Sequence, residues 1–130
     1  MLDHMTTMND TQRQALRAVL EARREQLLSE LDEVRQGHAE RVSNADNSPQ
    51  NAFATEANEV AQEAVRDAEA RRDHDELVAV RAALQRLDEG SYGACIDCGA
   101  DIGLQRLQAF PAALRCINCQ SKAESAAAAR

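Results

Sequence analysis

The sequence predicts a mostly α-helical protein: a long antiparallel two-helix coiled-coil hairpin, a small four-cysteine globule and a C-terminal helix. Three observations carry this. Apolar residues make up 44% of the 130 residues, yet Ala dominates them and only one Tyr and two Phe are aromatic, so the chain cannot bury a large globular core. Two stretches of more than 30 residues repeat apolar side chains at three- and four-residue steps, in a background of Ala, Leu, Glu and Arg that favours helix. All four cysteines fall in two Cys-x-x-Cys pairs near the C-terminal end. The segments read as a disordered N-terminal tail over 1–9, the hairpin over 10–89 and the cysteine globule with its helix over 90–130.

Asn9, Asp10 and Thr11 are good N-cap residues. Leu16, Leu20, Leu27, Leu31 and Val34 follow at helical spacing, with charged residues between them, so the first helix is expected from about Thr11 to about Val42. Gly37 inside it costs ~1 kcal/mol relative to Ala and favours a local bend. Turn chemistry interrupts the pattern at Ser43–Pro49, and Ser48-Pro49 can cap a second helix. That helix is expected from Gln50 or Thr55 to Glu89, with Gly90 at the C′ position. Its apolar stripe is read as Ala57, Val60, Ala61, Ala64 and Ala68, continued by Leu77, Val80, Leu84 and Leu87. A turn near Asp46–Asn47 then pairs Leu27 with Ala68, Leu31 with Ala64 and Val34 with Ala61. At ~1.5 Å per residue each helix extends roughly 48 Å. Arg71–Glu76 reads as a solvated segment, and Ser121–Arg130 as a further turn or two of helix after Cys119.

Cys95 and Cys98 are separated from Cys116 and Cys119 by seventeen residues, Gly99 to Arg115, a spacing that suits a four-thiolate zinc site. Zn²⁺ prefers four soft ligands in a tetrahedron at about 2.3 Å, and a two-residue gap lets one turn supply two sulfurs. A redox dithiol beside a βαβ unit, two structural disulfides and an iron–sulfur cluster are the rivals. The expected cofactor is one structural Zn²⁺ on Cys95, Cys98, Cys116 and Cys119, with no position open for water. His38 and His74 lie on the helices and are not expected to be ligands.

Net charge is −7, and the acidic excess sits in the first 89 residues. Such a chain lacks the basic footprint on which non-specific nucleic-acid binding rests, so direct binding to DNA or RNA is not expected. No apolar run reaches membrane-spanning length, and Met1–Asn9 does not read as a signal peptide, so a cytoplasmic location is expected. No nucleophile–base pair or phosphate-cradling loop is visible, and the chain is not expected to be an enzyme.

The run Gly90-Ser91-Tyr92-Gly93-Ala94-Cys95-Ile96-Asp97-Cys98-Gly99-Ala100-Asp101-Ile102-Gly103 is followed by Arg106-Leu107-Gln108-Ala109-Phe110-Pro111 and then Cys116-Ile117-Asn118-Cys119. Together with the upstream hairpin, these residues resemble the DksA/TraR family. The resemblance implies a bacterial, monomeric transcription regulator that binds RNA polymerase directly and not DNA. The hairpin would enter the secondary channel with its tip toward the active centre. The alternative is a zinc-stapled coiled-coil adaptor for another protein partner. At the tip the family's regulators carry an Asp-x-x-Asp-x-Ala motif, where gap-free counting places Ala52, Thr55 and Ala57. With the acidic residues close by, the candidate tip set is Asp46, Ala52, Thr55, Glu56, Ala57 and Glu59; a hairpin one heptad longer would instead set Asp46 and Ser48 nearer the tip. Members that respond to ppGpp carry basic residues where this chain has Ala79, Phe110 and Gln120, although Arg72 and Arg106 remain basic. The resemblance therefore implies a divergent member without full ppGpp synergy.

Overall fold

The computed structural model describes residues 8–43 and 52–128. Four helices follow in order: α1 (Asp10–Ser43), α2 (Ala52–Glu89), α3 (Leu104–Ala109) and α4 (Ile117–Ala128). Among the described residues the only β-type pairing is an isolated antiparallel bridge between Ala94 and Asp101. The expected turn around Asp46 and the caps at Ser48-Pro49 lie outside the described residues.

The start of α1 and the end of α2 carry the expected punctuation. Asn9 begins α1 as a reciprocal capping box: its Oδ1 accepts from the Gln12 N–H at 2.8 Å, and its own N–H donates to Gln12 Oε1 at 2.9 Å. Gly37 does not interrupt the helix. At the end of α2, Gly90 takes φ 83°, and the Ser91 N–H reaches back to the Arg86 carbonyl at 2.9 Å. This 6→1 bond closes a Schellman turn that needs a left-handed residue, hence glycine. Helix α4 carries on past Cys119 to Ala128, about two and a half turns and close to the turn or two expected.

The chain divides into two compact units that cut across both long helices. The first joins residues up to Arg24 with Val78 onward; the second is Glu25–Leu77. In the first unit Leu16 and Leu20 of α1 are buried with Val80, Ala83 and Leu84 of α2, and Tyr92, Cys95, Ile102 and Leu107 continue that core into the globule. Arg17 and Asp88 bridge the two helices at 2.9 Å. Of the tail expected to be disordered over 1–9, residues 1–7 lie outside the described residues, and Met8 departs from the expectation, being buried at 6% exposure. Its methyl group stands 3.1 Å from where a Cβ on Gly93 would be, so the absence of a side chain there leaves room for it. Arg13 holds the segment by donating to the Met8 carbonyl at 3.0 Å.

In the second unit Leu27 is fully buried and Leu77 nearly so. Here the expected stripe on α2 needs correction. Val60 is 69% exposed, Ala57, Ala61 and Ala64 are exposed, and Ala68 is half-buried. The pairings of Leu31 with Ala64 and Val34 with Ala61 therefore do not form a seam. The reason is angular. Ala68 and Leu77 are nine residues apart, or two and a half turns at 3.6 residues per turn, so the alanine and leucine stripes lie on opposite faces. Stepping back from Leu87, Leu84, Val80 and Leu77 by alternate threes and fours gives Asp73, Ala70, Arg66 and Glu63, and these four are half-buried. His38 of α1 meets Glu63 at 3.2 Å, and Arg66 bonds the same carboxylate at 2.9 Å.

Candidate metal centre

The first knuckle is built by backbone hydrogen bonds over Gly93–Ile102. The Cys95 N–H donates to the Ala100 carbonyl at 2.8 Å, the Gly99 N–H returns to the Cys95 carbonyl at 2.9 Å, and the Ile102 N–H donates to the Gly93 carbonyl at 2.8 Å. Gly93 (φ 95°) and Gly99 (φ 77°) turn the chain where a side chain would be strained. The second knuckle opens α4: the Gln120 N–H donates to the Cys116 carbonyl at 2.9 Å, and the Cys119 N–H points at Cys116 Sγ at 3.5 Å.

Two contacts lock the knuckles together. The Ile96 N–H donates to the Leu114 carbonyl at 2.9 Å, and Arg115 Nε donates to Asp97 Oδ2 at 2.7 Å. Arg106 supports this from α3 by donating to the Arg115 carbonyl at 3.1 Å, with its guanidinium 5.7 Å from the Phe110 ring centre. On the other side, Arg86 of α2 donates to the Ser91 carbonyl at 3.0 Å and also to the Ala94 carbonyl. The Tyr92 hydroxyl donates to the Pro111 carbonyl at 2.8 Å, and burial pushes its pKa up to about 12.

The result is a cluster in which the sulfurs of Cys95, Cys98, Cys116 and Cys119 all lie within 4.8 Å of one another. Cys98 Sγ and Cys116 Sγ are 3.8 Å apart. A tetrahedron of sulfurs about 2.3 Å from a central ion has edges of about 3.8 Å, so the donor set fits Zn²⁺. The thiols are also electrostatically unequal. Burial raises the Cys95 thiol, but hydrogen bonds from the Cys116, Cys98 and Asp97 backbone and the Cys98 side chain outweigh it, and the pKa falls to about 6. The Cys119 thiol is pushed up to about 12, through hydrogen bonds with the Cys116, Cys95 and Cys98 side chains, burial and the Cys116 charge. Four sulfurs this close cannot all carry negative charge unless a cation sits among them. The cofactor of this centre is one structural Zn²⁺, with no protein position left open for a reacting water.

The sequence placed all four cysteines, and the structure brings them together. The sequence singles out Arg106 only as a basic residue of the family motif and does not point to Arg86, Arg115 or Met8, whose contacts are set by the folded globule. His38 and His74 are exposed residues of the long helices and do not join the cluster. Of the tip set, Glu56, Ala57 and Glu59 are exposed on α2. Ala52 and Thr55 belong to the first turns of α2, but their side chains, like all of Asp46, lie outside the described residues. At the places considered for ppGpp, Gln120 bonds Glu124 at 2.9 Å, Phe110 is 62% exposed and Arg106 is engaged in holding the knuckles.

A small globule with a four-cysteine centre at the base of two long helices defines a class, and comparison with known proteins identifies it. Residues 90–125 match the prokaryotic dksA/traR C4-type zinc finger. The chain is 31% identical over 120 residues to the RNA polymerase-binding transcription factor DksA of Escherichia coli K12, covering 90% of this chain and 74% of that one. The factor of the same name from Haemophilus influenzae is 32% identical, with 90% and 77% covered. The structure of transcription factor DksA2 from Pseudomonas aeruginosa superposes with a TM-score of 0.74 at 25% identity, over 92% of this chain and 88% of that one. The chain belongs to the DksA/TraR family. Among the described residues no helix is long and apolar enough to cross a membrane.

Proposed function

We propose that this protein is a cytoplasmic, non-enzymatic transcription regulator that binds bacterial RNA polymerase directly, as a monomer and without contacting DNA. Cys95, Cys98, Cys116 and Cys119 ligate the zinc, which fixes the globule against the helices. The hairpin enters the secondary channel of the polymerase with its tip toward the active centre. The observation that carries this reading is likeness to DksA across nearly the whole chain, hairpin included, rather than in the zinc segment alone.

The tip chemistry differs from the family's motif. Ala52 and Thr55 stand where carboxylates are usual, so any acidic contribution near the active centre falls to Asp46, Glu56 and Glu59. Glu56 and Glu59 are exposed, which suits that role. Full ppGpp synergy is not expected, because a phosphate pocket needs several convergent cations and Ala79, Phe110 and Gln120 supply none. The decisive experiment is co-purification with core RNA polymerase and competition with a Gre factor, followed by transcription from a ribosomal promoter with and without ppGpp. Binding at micromolar concentration with displacement is expected, and absence of binding rejects the reading. Asp46→Ala and Glu56→Ala should change transcription without weakening polymerase affinity.

A second reading, an adaptor for another helical protein, is favoured by one observation: the apolar face of α2 at Val60, Ala61, Ala64 and Val65 is exposed. A different co-purifying partner, with no polymerase in the complex, is the result that would favour it.

A further inference from the structure

In a coiled-coil hairpin apolar residues face inward along the seam, but here much of the second unit's seam is polar. Its seam positions on α1 are Leu27, Glu30, Val34 and Gly37, and on α2 Glu63, Arg66, Ala70, Asp73 and Leu77. Leu27 and Leu77 are buried at one end; between Leu28 and Glu76 no described side chain is buried. The seam between them holds three acidic residues and an arginine at half-buried positions, beside a glycine and an alanine that have little area to bury. Leu31 and Val34 of α1 are half-buried along it, and on α2 the larger apolar residues point the other way, with Val60 and Val65 69% and 57% exposed.

The polar groups have partners. Glu63 takes His38 and Arg66, Asp32 takes Arg35 at 2.6 Å and Gln36 at 2.9 Å, and Glu30 and Glu76 are also engaged. Partly exposed ion pairs of this kind add little to stability, because water replaces them at little cost. Opening the stretches between Leu28 and Glu76 therefore uncovers no described side chain that is fully buried, and little apolar area beyond that of the half-buried Leu31 and Val34. The first unit, by contrast, would expose Leu16, Leu20, Val80, Ala83 and Leu84.

From this we propose that the helical stretches 28–43 and 52–76 form a separately opening module, which unzips and re-zips while the zinc-clamped base stays folded. The charged seam then has a defined use: mismatched registers would bury like charges, so it selects one alignment on reclosure without holding it tightly. Any partner that grips this part of the hairpin meets an ensemble and must order it on binding. The inference stands on the distribution of buried residues and does not depend on which partner that is.

Hydrogen exchange followed by mass spectrometry on the full zinc-loaded chain tests it. Amides in 30–40 and 58–74 are expected to exchange together, on the order of 100-fold faster than those in 16–24 and 79–87. Equal protection in the two sets overturns the proposal. Independently, Glu63→Leu combined with Asp73→Leu should slow exchange in the distal stretches by about tenfold or more, leaving 16–24 unchanged. No slowing, or equal slowing in both sets, also overturns it.

Discussion

The two units use the same pair of helices in opposite ways. Near the zinc centre, the seam is leucine and valine, buried at Leu16, Leu20, Val80 and Leu84, and the globule is tied on by Arg86 and the Gly90 turn. Beyond Leu27 the seam is mostly carboxylate, guanidinium, glycine and alanine, with Leu31 and Val34 only half-buried, and Val60 and Val65 of α2 face out. Helical propensity is high in both units, so the difference is not in the capacity to be helical. It lies in how much apolar area helix pairing removes from water, which is the main source of tertiary stability for a surface helix.

The strongest way to break this contrast is to remove the zinc. Cys98→Ser, or a strong chelator, should abolish metal binding, because metal affinity in such thiolate sites is coupled to folding and worth on the order of 10 kcal/mol. Elemental analysis should fall from one zinc per chain to near zero, and the tyrosine signal of Tyr92 should report loss of its buried environment. Acidification acts in the same direction. Thiolates, not thiols, bind zinc, so protons compete for all four sulfurs and zinc retention decreases as pH falls. The metal-free Cys95, lowered to about 6, keeps its thiolate to lower pH than an ordinary thiol. Cys119, raised to about 12 without metal, must lose a proton when zinc enters at neutral pH. Zinc binding should therefore release protons, measurable by titration calorimetry in buffers of different ionisation enthalpy.

A matched pair of core truncations sharpens the comparison next. Leu20→Ala should cost about 3 kcal/mol, since the side chain is wholly enclosed, whereas Leu31→Ala should cost about 1 kcal/mol at its half-buried site. Denaturant unfolding read by helicity and by Tyr92 separates the two. Equal costs would mean that the distal seam packs as tightly as the base. Smaller still, Gly90→Ala should destabilise by about 1 kcal/mol through its left-handed φ of 83° alone, because nothing lies within 4 Å of a new Cβ. Asn9→Ala should cost about 1 kcal/mol by opening the capping box. The least effect is expected from Asp97→Asn: its pair with Arg115 is partly exposed, so about 0.5 kcal/mol is at stake, visible as faster zinc loss to a chelator rather than as unfolding.

Much of the architecture was legible in the chain itself because its signals are local. Caps at Asn9 and Gly90, helical spacing of Leu16 to Val34 and the two Cys-x-x-Cys pairs each act over a few residues, and backbone geometry then has little choice. The error on α2 arose where a local signal was bridged across a gap. Ala57 to Ala68 and Leu77 to Leu87 each repeat at helical spacing, but the charged run between them hides a half-turn offset in phase. Met8 was misjudged for a related reason: what buries it is the room beside Gly93, remote in sequence.

By itself, then, the sequence determined the helices, their punctuation, the zinc ligands' spacing and the family, since each depends on residue type and separation along one stretch of chain. Tertiary structure decided which face of α2 pairs with α1, which arginines brace the knuckles and where burial stops. Those outcomes depend on phase accumulated over many turns and on contacts between residues far apart. Buried leucines and valines gather at the zinc base while no described side chain between Leu28 and Glu76 is buried, and that contrast depends on how the two helices pair.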